Sequence, residues 1–397
     1  MEFRFTEEQQ MIRDTAEAFL AAESTSAAVR EAMATEAGFN QELWQRVCGE
    51  MYWPAITIPE DHGGMGLGYV ELTATLEQMG RHLFCAPFFS SVGLAGNALL
   101  VAGTETQQAK WLPKLIQGET ATLAFCGASG GRTADAIDVT YRRDGADYVL
   151  SGDAQYVVDG HTAHWIVVAA RNSESASDIG LFVLTADAPG LSRRWLPTID
   201  QTRKQAALHF EQVAVSAERR LSGDKDAAQK LVDILDLATI ALAAEQVGVA
   251  QQSLDATLAY MADREQFGRR IASYQAIKHK AADMMVKSEA ARSAVYYAAC
   301  VAQEYLSGGP MASELAEAAS VAKAWCSDAS FFNAGCGIQL HGGVGFTWEY
   351  DIQLLFKRAR AAEAYLGNGA WHRERIAGLL LDGMLNESSL GRNEEAA

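Results

Sequence analysis

"QLHGGVGFTWEYD", residues 339–351, sets Gly342, Gly343 and Gly345 at the end of a long helix-compatible run. Three missing β-carbons in so short a span leave backbone N–H groups free to face an anion. Read alone, the stretch is also an ordinary turn between helices, because glycine is a common helix stop. A second stretch, "YMADREQFGRRIASYQAIKHKAADM" at 260–284, presents Arg264, Phe267, Gly268 and Gln275 between two helical runs. A buried arginine at a helix end can grip a diphosphate with both arms, and a glycine beside it admits the backbone closely. Here too a bland reading exists, a helix C-cap with one hydrophobic contact. The plan of the whole chain decides between these readings.

Working outward, residues 226–384 read as long, Ala- and Leu-rich helices, at 226–266, 275–306 and 312–337, separated by short turns such as "SGGP". Long helices joined this way predict a helical bundle. The polar end, 385–397, reads as a disordered tail. Upstream, 119–225 changes texture: "DVTYRRDGADYVLSGDAQYVV" alternates apolar and polar residues around an Asp144-Gly145 hairpin signal. Short strands at regular spacing predict a small β-sandwich or barrel. Residues 1–118 read as a helical domain that opens with a capping box at Thr6 and Gln9. Helical runs follow at 41–51, 70–84, 91–103 and 105–116. "PEDHGGMGLG", 59–68, interrupts them as a loop and not as a phosphate cradle, because no strand precedes it and no Lys-Ser/Thr follows. The fold class expected is α+β multidomain: helical domain, middle β domain, C-terminal four-helix bundle.

At 397 residues, 49% apolar and 21% charged, the chain reads as a soluble globular protein of two or three domains. A net charge of −17 argues against nucleic acid and against an anionic membrane surface. It leaves room for an anionic ligand held by a few local cations and helix N-termini. No run is long and apolar enough for a membrane span, and the start lacks the form of a signal peptide. Cys48, Cys85, Cys126, Cys300, Cys326 and Cys336 form no CxxC pair, which suggests reduced thiols and a cytoplasmic protein. His161 and His164 lack cysteine or HExxH partners, so no metal is expected.

On this helix–β–helix plan the two glycine stretches resemble the acyl-CoA dehydrogenase family. Arg264, Phe267, Gly268 and Gln275 meet its R-x-x-F-G…Q pattern, and Gln339, Gly342, Gly343, Gly345 and Phe346 meet its Q-x-x-G-G-x-G-F pattern. The "PEDHGGMGLGYVEL" segment resembles the family's N-terminal glycine turn. The resemblance covers nearly the whole chain. It implies noncovalent FAD between subunits, with the Gln339–Gly343 turn reaching a neighbour's flavin, and hence an oligomer. It further implies an acyl-CoA substrate, electron-transfer flavoprotein as acceptor, and a place in β-oxidation of lipid or steroid acyl groups. In that chemistry a carboxylate removes the α-proton of the thioester while the β-hydrogen leaves as hydride.

The chain departs from the family where the base belongs. The common Tyr-Glu-Gly-Thr is represented by Tyr365-Leu366-Gly367-Asn368, and the alternative seat, ten residues before Gly248, is Ala238. Neither side chain can carry a proton. In the middle domain, "FCGASGGRTAD" (125–135) and "YVVDG" (156–160) replace the usual flavin-contacting stretches; Tyr156 remains available to stack, while Val158 offers no hydroxyl. Three readings follow. The chain is one subunit of a heterotetramer whose related partner brings the base, the "GFTWEYD" wording resembling such bacterial α2β2 branches. Or a non-standard carboxylate serves, the candidates being Glu363, Asp236 and Glu245. Or it is a non-dehydrogenating flavin- or acyl-CoA-binding protein, or a flavin monooxygenase, on the same fold.

Overall fold

The structure, a computed structural model, describes residues 5–175, 177–221 and 226–390, with side chains described as far as 381. Its first part is helical: α1 (Glu7–Glu23), α2 (Ser26–Ala34), α3 (Gln41–Gly49), α4 (Tyr69–Arg81), a π-helical segment Phe89–Gly96 running into α5 (Asn97–Ala102), and α6 (Glu105–Ile116). The capping box opens α1 as expected: Gln9 N–H donates to Thr6 Oγ1 at 3.2 Å, and Thr6 N–H to Gln9 Oε1 at 3.0 Å. Between α3 and α4, Gly64 passes so near Ile58 that a β-carbon would sit 1.9 Å from its carbonyl oxygen. The glycines at 59–68 therefore serve packing.

The middle part is an eight-stranded sheet, β1 (Ala121–Ala124), β2 (Thr140–Asp144), β3 (Asp147–Val158), β4 (Trp165–Asn172), β5 (Ile179–Thr185), β6 (Leu191–Leu196), β7 (Gln205–Val215) and β8 (Arg220–Leu221), in the order β6-β7-β3-β2-β4-β5-β8. β1 and β2 both run parallel to β4, pairing with its start and its end respectively. The sheet turns over there and encloses a core that includes Leu150, Ile166, Phe182 and Phe210. Asp144 pairs with Asp147, so the hairpin loop is Gly145 and Ala146, with Gly145 at φ 63°.

The last part is α7 (Ala227–Asp263), a tight hairpin of β9 (Glu265–Gln266) and β10 (Arg269–Arg270), then α8 (Gln275–Ser307), α9 (Leu315–His341), α10 (Ile352–Ala364) and α11 (Gly369–Leu390). This is the α+β class expected. Three details differ from the sequence reading. α7 stops at Asp263, and the end of the expected helix becomes the β9–β10 hairpin, with Gly268 at its tip. α9 runs on to His341, because nothing before Gly342 stops it. α11 runs to Leu390, so the disordered tail expected from 385 is helical through 390; a polar composition does not end a helix, and the next glycine is Gly391. Residues 391–397 lie outside the described residues.

One core joins α1, α4, the π-helical segment, β1 and the long helices α7, α8 and α9. α4 and α7 cross backbone to backbone: a β-carbon on Gly80 would lie 2.0 Å from the Glu245 carbonyl oxygen, and one on Gly248 would lie 1.9 Å from that of Glu77. Any side chain there would force the helices apart. Among the described residues no helix is long and apolar enough to cross a membrane. All six cysteines are free thiols.

Candidate active site

The turn between α10 and α11 holds Leu366 in left-handed backbone, φ 61°, followed by Gly367 at φ 92°. A branched side chain does not adopt this conformation unaided, and its surroundings account for it. Asn368 caps α11, its Oδ1 accepting from Trp371 N–H at 2.9 Å. The Leu366 carbonyl accepts from His372 Nε2 at 2.9 Å and from Arg132 Nη1 at 3.4 Å. Burial, helped by the cations Arg132 and Lys323, pushes His372 down to about 3, so its ring is a neutral donor. The Leu366 side chain is 2% exposed and packs in the main core. Tyr365 beside it lies edge-on to Phe89 and Phe125, with centroids 6.2 and 6.0 Å away. Next to Tyr365 a cavity of about 30 Å³ remains, the share of one water.

Each of the three candidate carboxylates is paired with arginine. Asp236 in α7 is 1% exposed. Arg132 Nη2 donates to its Oδ1 at 2.5 Å, and Arg375 donates to Oδ1 and Oδ2 at 2.6 and 2.7 Å. Glu245 is buried against Arg203 and lies 3.9 Å from Arg358. Glu363 points away to the partly exposed Arg360. Ala238 is fully buried. Because the Glu363–Arg360 pair is a surface pair, Glu363→Gln should cost about 0.5 kcal/mol or less and leave any flavin reduction unchanged; thermal unfolding and anaerobic titration check both.

Several residues at this site escaped the sequence reading. Arg132 was noticed only as part of an altered loop; it crosses from the β1–β2 connection to α7, donating also to Thr239 Oγ1 at 3.0 Å and lying 5.1 Å from the Trp371 ring. Asp159, at the end of β3, accepts from Ser90 Oγ at 2.7 Å and is pushed up to about 6 by burial. It ties the sheet to the π-helical segment.

The glycine motifs come together elsewhere. Arg264 caps the end of α7, and it is exposed in the single chain rather than buried. Phe267 and Gly268 form the tip of the β9–β10 hairpin, at φ 53° and 78°, with Phe267 93% exposed. Gln275 opens α8, and Gln339 lies in the last turn of α9. Gly342, at φ 64°, and Gly343 have no atom within 4 Å of where a β-carbon would be. The two motifs are tied by Tyr260, which stacks on His341 at 4.3 Å and donates to its carbonyl at 3.2 Å. A cleft of about 810 Å³ runs beside them, lined in part by Gln252, Tyr260, Arg264 and His341. Guanidinium, carboxamides and open glycine backbone form a donor set suited to a diphosphate. Tyr156 and Gly367 are not part of this group. Tyr156 lies on the sheet at φ 56°, 40% exposed, over Gly130, and Gly367 packs under Trp371.

Comparison with known proteins bears on this arrangement. The family descriptions "Acyl-CoA dehydrogenase, N-terminal domain" and "Acyl-CoA dehydrogenase, C-terminal domain" match residues 6–119 and 231–381. The acyl-CoA dehydrogenase IpdE2 of Mycobacterium tuberculosis is 35% identical over 360 residues, 91% of this chain and 93% of that protein. Among solved structures, an acyl-CoA dehydrogenase complexed with FAD from Bacillus anthracis superposes with a TM-score of 0.88 at 25% identity, over 96% of this chain and 68% of that one. The ChsE4-ChsE5 complex from Mycobacterium tuberculosis does so with a TM-score of 0.85 at 27% identity, over 96% and 99%. Helical domain, folded sheet, bundle and paired glycine loops define an oxidoreductase class. The chain belongs to the acyl-CoA dehydrogenase family.

Proposed function

We propose that this chain is the base-lacking subunit of a heteromeric, FAD-dependent acyl-CoA dehydrogenase, in which a related subunit brings the carboxylate that takes the α-proton. The observation that carries the reading is Leu366: the base position is apolar and packed, and the nearby carboxylates are held by guanidiniums. The small cavity at Tyr365 agrees, being far below the volume an acyl chain needs. The likeness to the ChsE4-ChsE5 complex supports a two-subunit assembly. The resemblance of "GFTWEYD" to such bacterial branches supports a bulky acyl group of the steroid side-chain kind.

Arg264, Gln339, Gly342 and Gly343 would hold the FAD diphosphate, with Phe267, Gly268 and Gln275 shaping the same cradle and Tyr156 facing the ring system of another site. FAD, when bound, would supply the hydride acceptor, and an electron-transfer flavoprotein is the expected acceptor of the electrons. The residues of this chain bind, orient and exclude water. Arg264→Ala should lower FAD retention by about 10- to 100-fold, the worth of one charge-assisted bidentate contact. Because Arg264 is exposed, the melting temperature of the flavin-free protein should not move; the flavin-to-protein ratio after gel filtration reads the first effect and calorimetry the second.

The assembly is tested by purifying the chain alone and coexpressed with a family member that carries a carboxylate at the turn. Flavin and bleaching that appear only in the coexpressed complex support the reading. A yellow homomer fully bleached by acyl-CoA sinks it. A flavin-binding complex that never bleaches points to a binding protein or a monooxygenase.

A further inference from the structure

Lys323 in α9 is fully buried, and the four oxygens within hydrogen-bond distance of its Nζ are uncharged: Ser327 Oγ at 3.0 Å and the carbonyls of Ala362, Glu363 and Gly367 at 2.9, 3.1 and 2.9 Å. Two of these carbonyls belong to the last turn of α10 and the third lies just past Leu366, so one amine spans both sides of that residue. Carbonyls at a helix C-terminus need donors and favour a cation. An ammonium has three N–H groups, one for each carbonyl. A neutral amine has two, and a lone pair to which the Ser327 hydroxyl can donate.

We propose that Lys323 is the positioning residue of the Leu366 turn, an ammonium-centred clamp that closes Ala362–Gly367 and loses one carbonyl arm when it gives up its proton. The groups facing it leave that proton as the variable one. On its own helix, burial pushes the Cys326 thiol far up, so it stays neutral. On α10, Glu363 is paired with Arg360. Arg132 approaches from the β1–β2 connection, and on α11 His372 is neutral. Burial pushes Lys323 down to about 7, against a smaller pull from Glu363.

The sign of the effect separates this role from a merely structural one. An unfolded lysine titrates at about 10.4, so from about pH 7 to that value the native chain binds fewer protons than the unfolded one. Global stability gains from Lys323 as pH rises through this window. The turn responds oppositely, losing a hydrogen bond as the amine deprotonates.

Amide hydrogen exchange of peptides covering 362–369, corrected for the intrinsic rate and followed from about pH 6 to 8.5, reads the clamp. In the unmodified protein, turn protection should fall about fivefold with a midpoint near 7, the worth of roughly one hydrogen bond, while β3 and β7 stay constant. Lys323→Met should exchange faster in the turn at every pH, without that midpoint. Flat turn protection in the unmodified protein overturns the proposal, and so does a midpoint retained in Lys323→Met. Should Lys323→Met fail to fold, the unmodified profile decides alone.

Discussion

Joined to a family member with a glutamate at the turn, this chain should form a complex whose flavin is bleached anaerobically by a bulky acyl-CoA. Alone it should not bleach. Replacing the partner's glutamate by glutamine should cut the rate by about 10²–10⁴, equivalent to roughly 3–5 kcal/mol of barrier. Stopped-flow flavin absorbance measures it, and an unchanged rate would remove the partner from the chemistry. Leu366→Glu in the isolated chain should recover little of this factor. The Arg132 guanidinium already bonds the carbonyl of residue 366, and Lys323 lies below the same turn. A new carboxylate there would meet two cations that favour its anion, which makes it a poor proton acceptor. The present turn has thus diverged beyond the loss of one side chain.

Asp236→Ala should be among the most destabilising single changes at the site, about 3–5 kcal/mol, because it leaves the buried Arg132 and the half-buried Arg375 without their shared anion. Arg132→Met should cost less. The Asp236–Arg375 pair then survives with both carboxylate oxygens engaged, and a methionine of similar length can rest on Trp371. Urea unfolding of the two variants checks the order. Equal losses would mean that Arg132 acts mainly by packing.

Much of this was readable in advance, for physical reasons. Arginine and glycine at helix ends announce themselves, so Arg264, Gly268, Gly342 and Gly343 could be found by spacing, and Leu366 stood out against the motif around it. The end of α9 was misplaced because "IQLH", 338–341, contains no stop signal. The buried cations were harder. Lys323, Arg132 and Arg375 have the composition of surface residues, and only their partners, distant in sequence, show otherwise. One clue was present for Lys323: it sits in "SVAKAWCS", within a helix apolar on nearly every side, where a lysine has little chance of reaching water. Arg264 is exposed in the single chain because a helix end on the surface gives its guanidinium no neighbour to bury it.

The outward rings of Phe267, Phe346 and Trp348, 93%, 73% and 62% exposed, have a consequence for the cell. They lie within or beside the two glycine loops, so in the proposed heteromer the subunit that covers them would also complete the flavin cradle. If the chain is such a subunit, any excess over its mate would carry this surface uncovered, a ready target for chaperones and proteases and a seed for aggregation. Quality control would then trim the surplus and hold the two gene products in proportion, without any regulator of their expression.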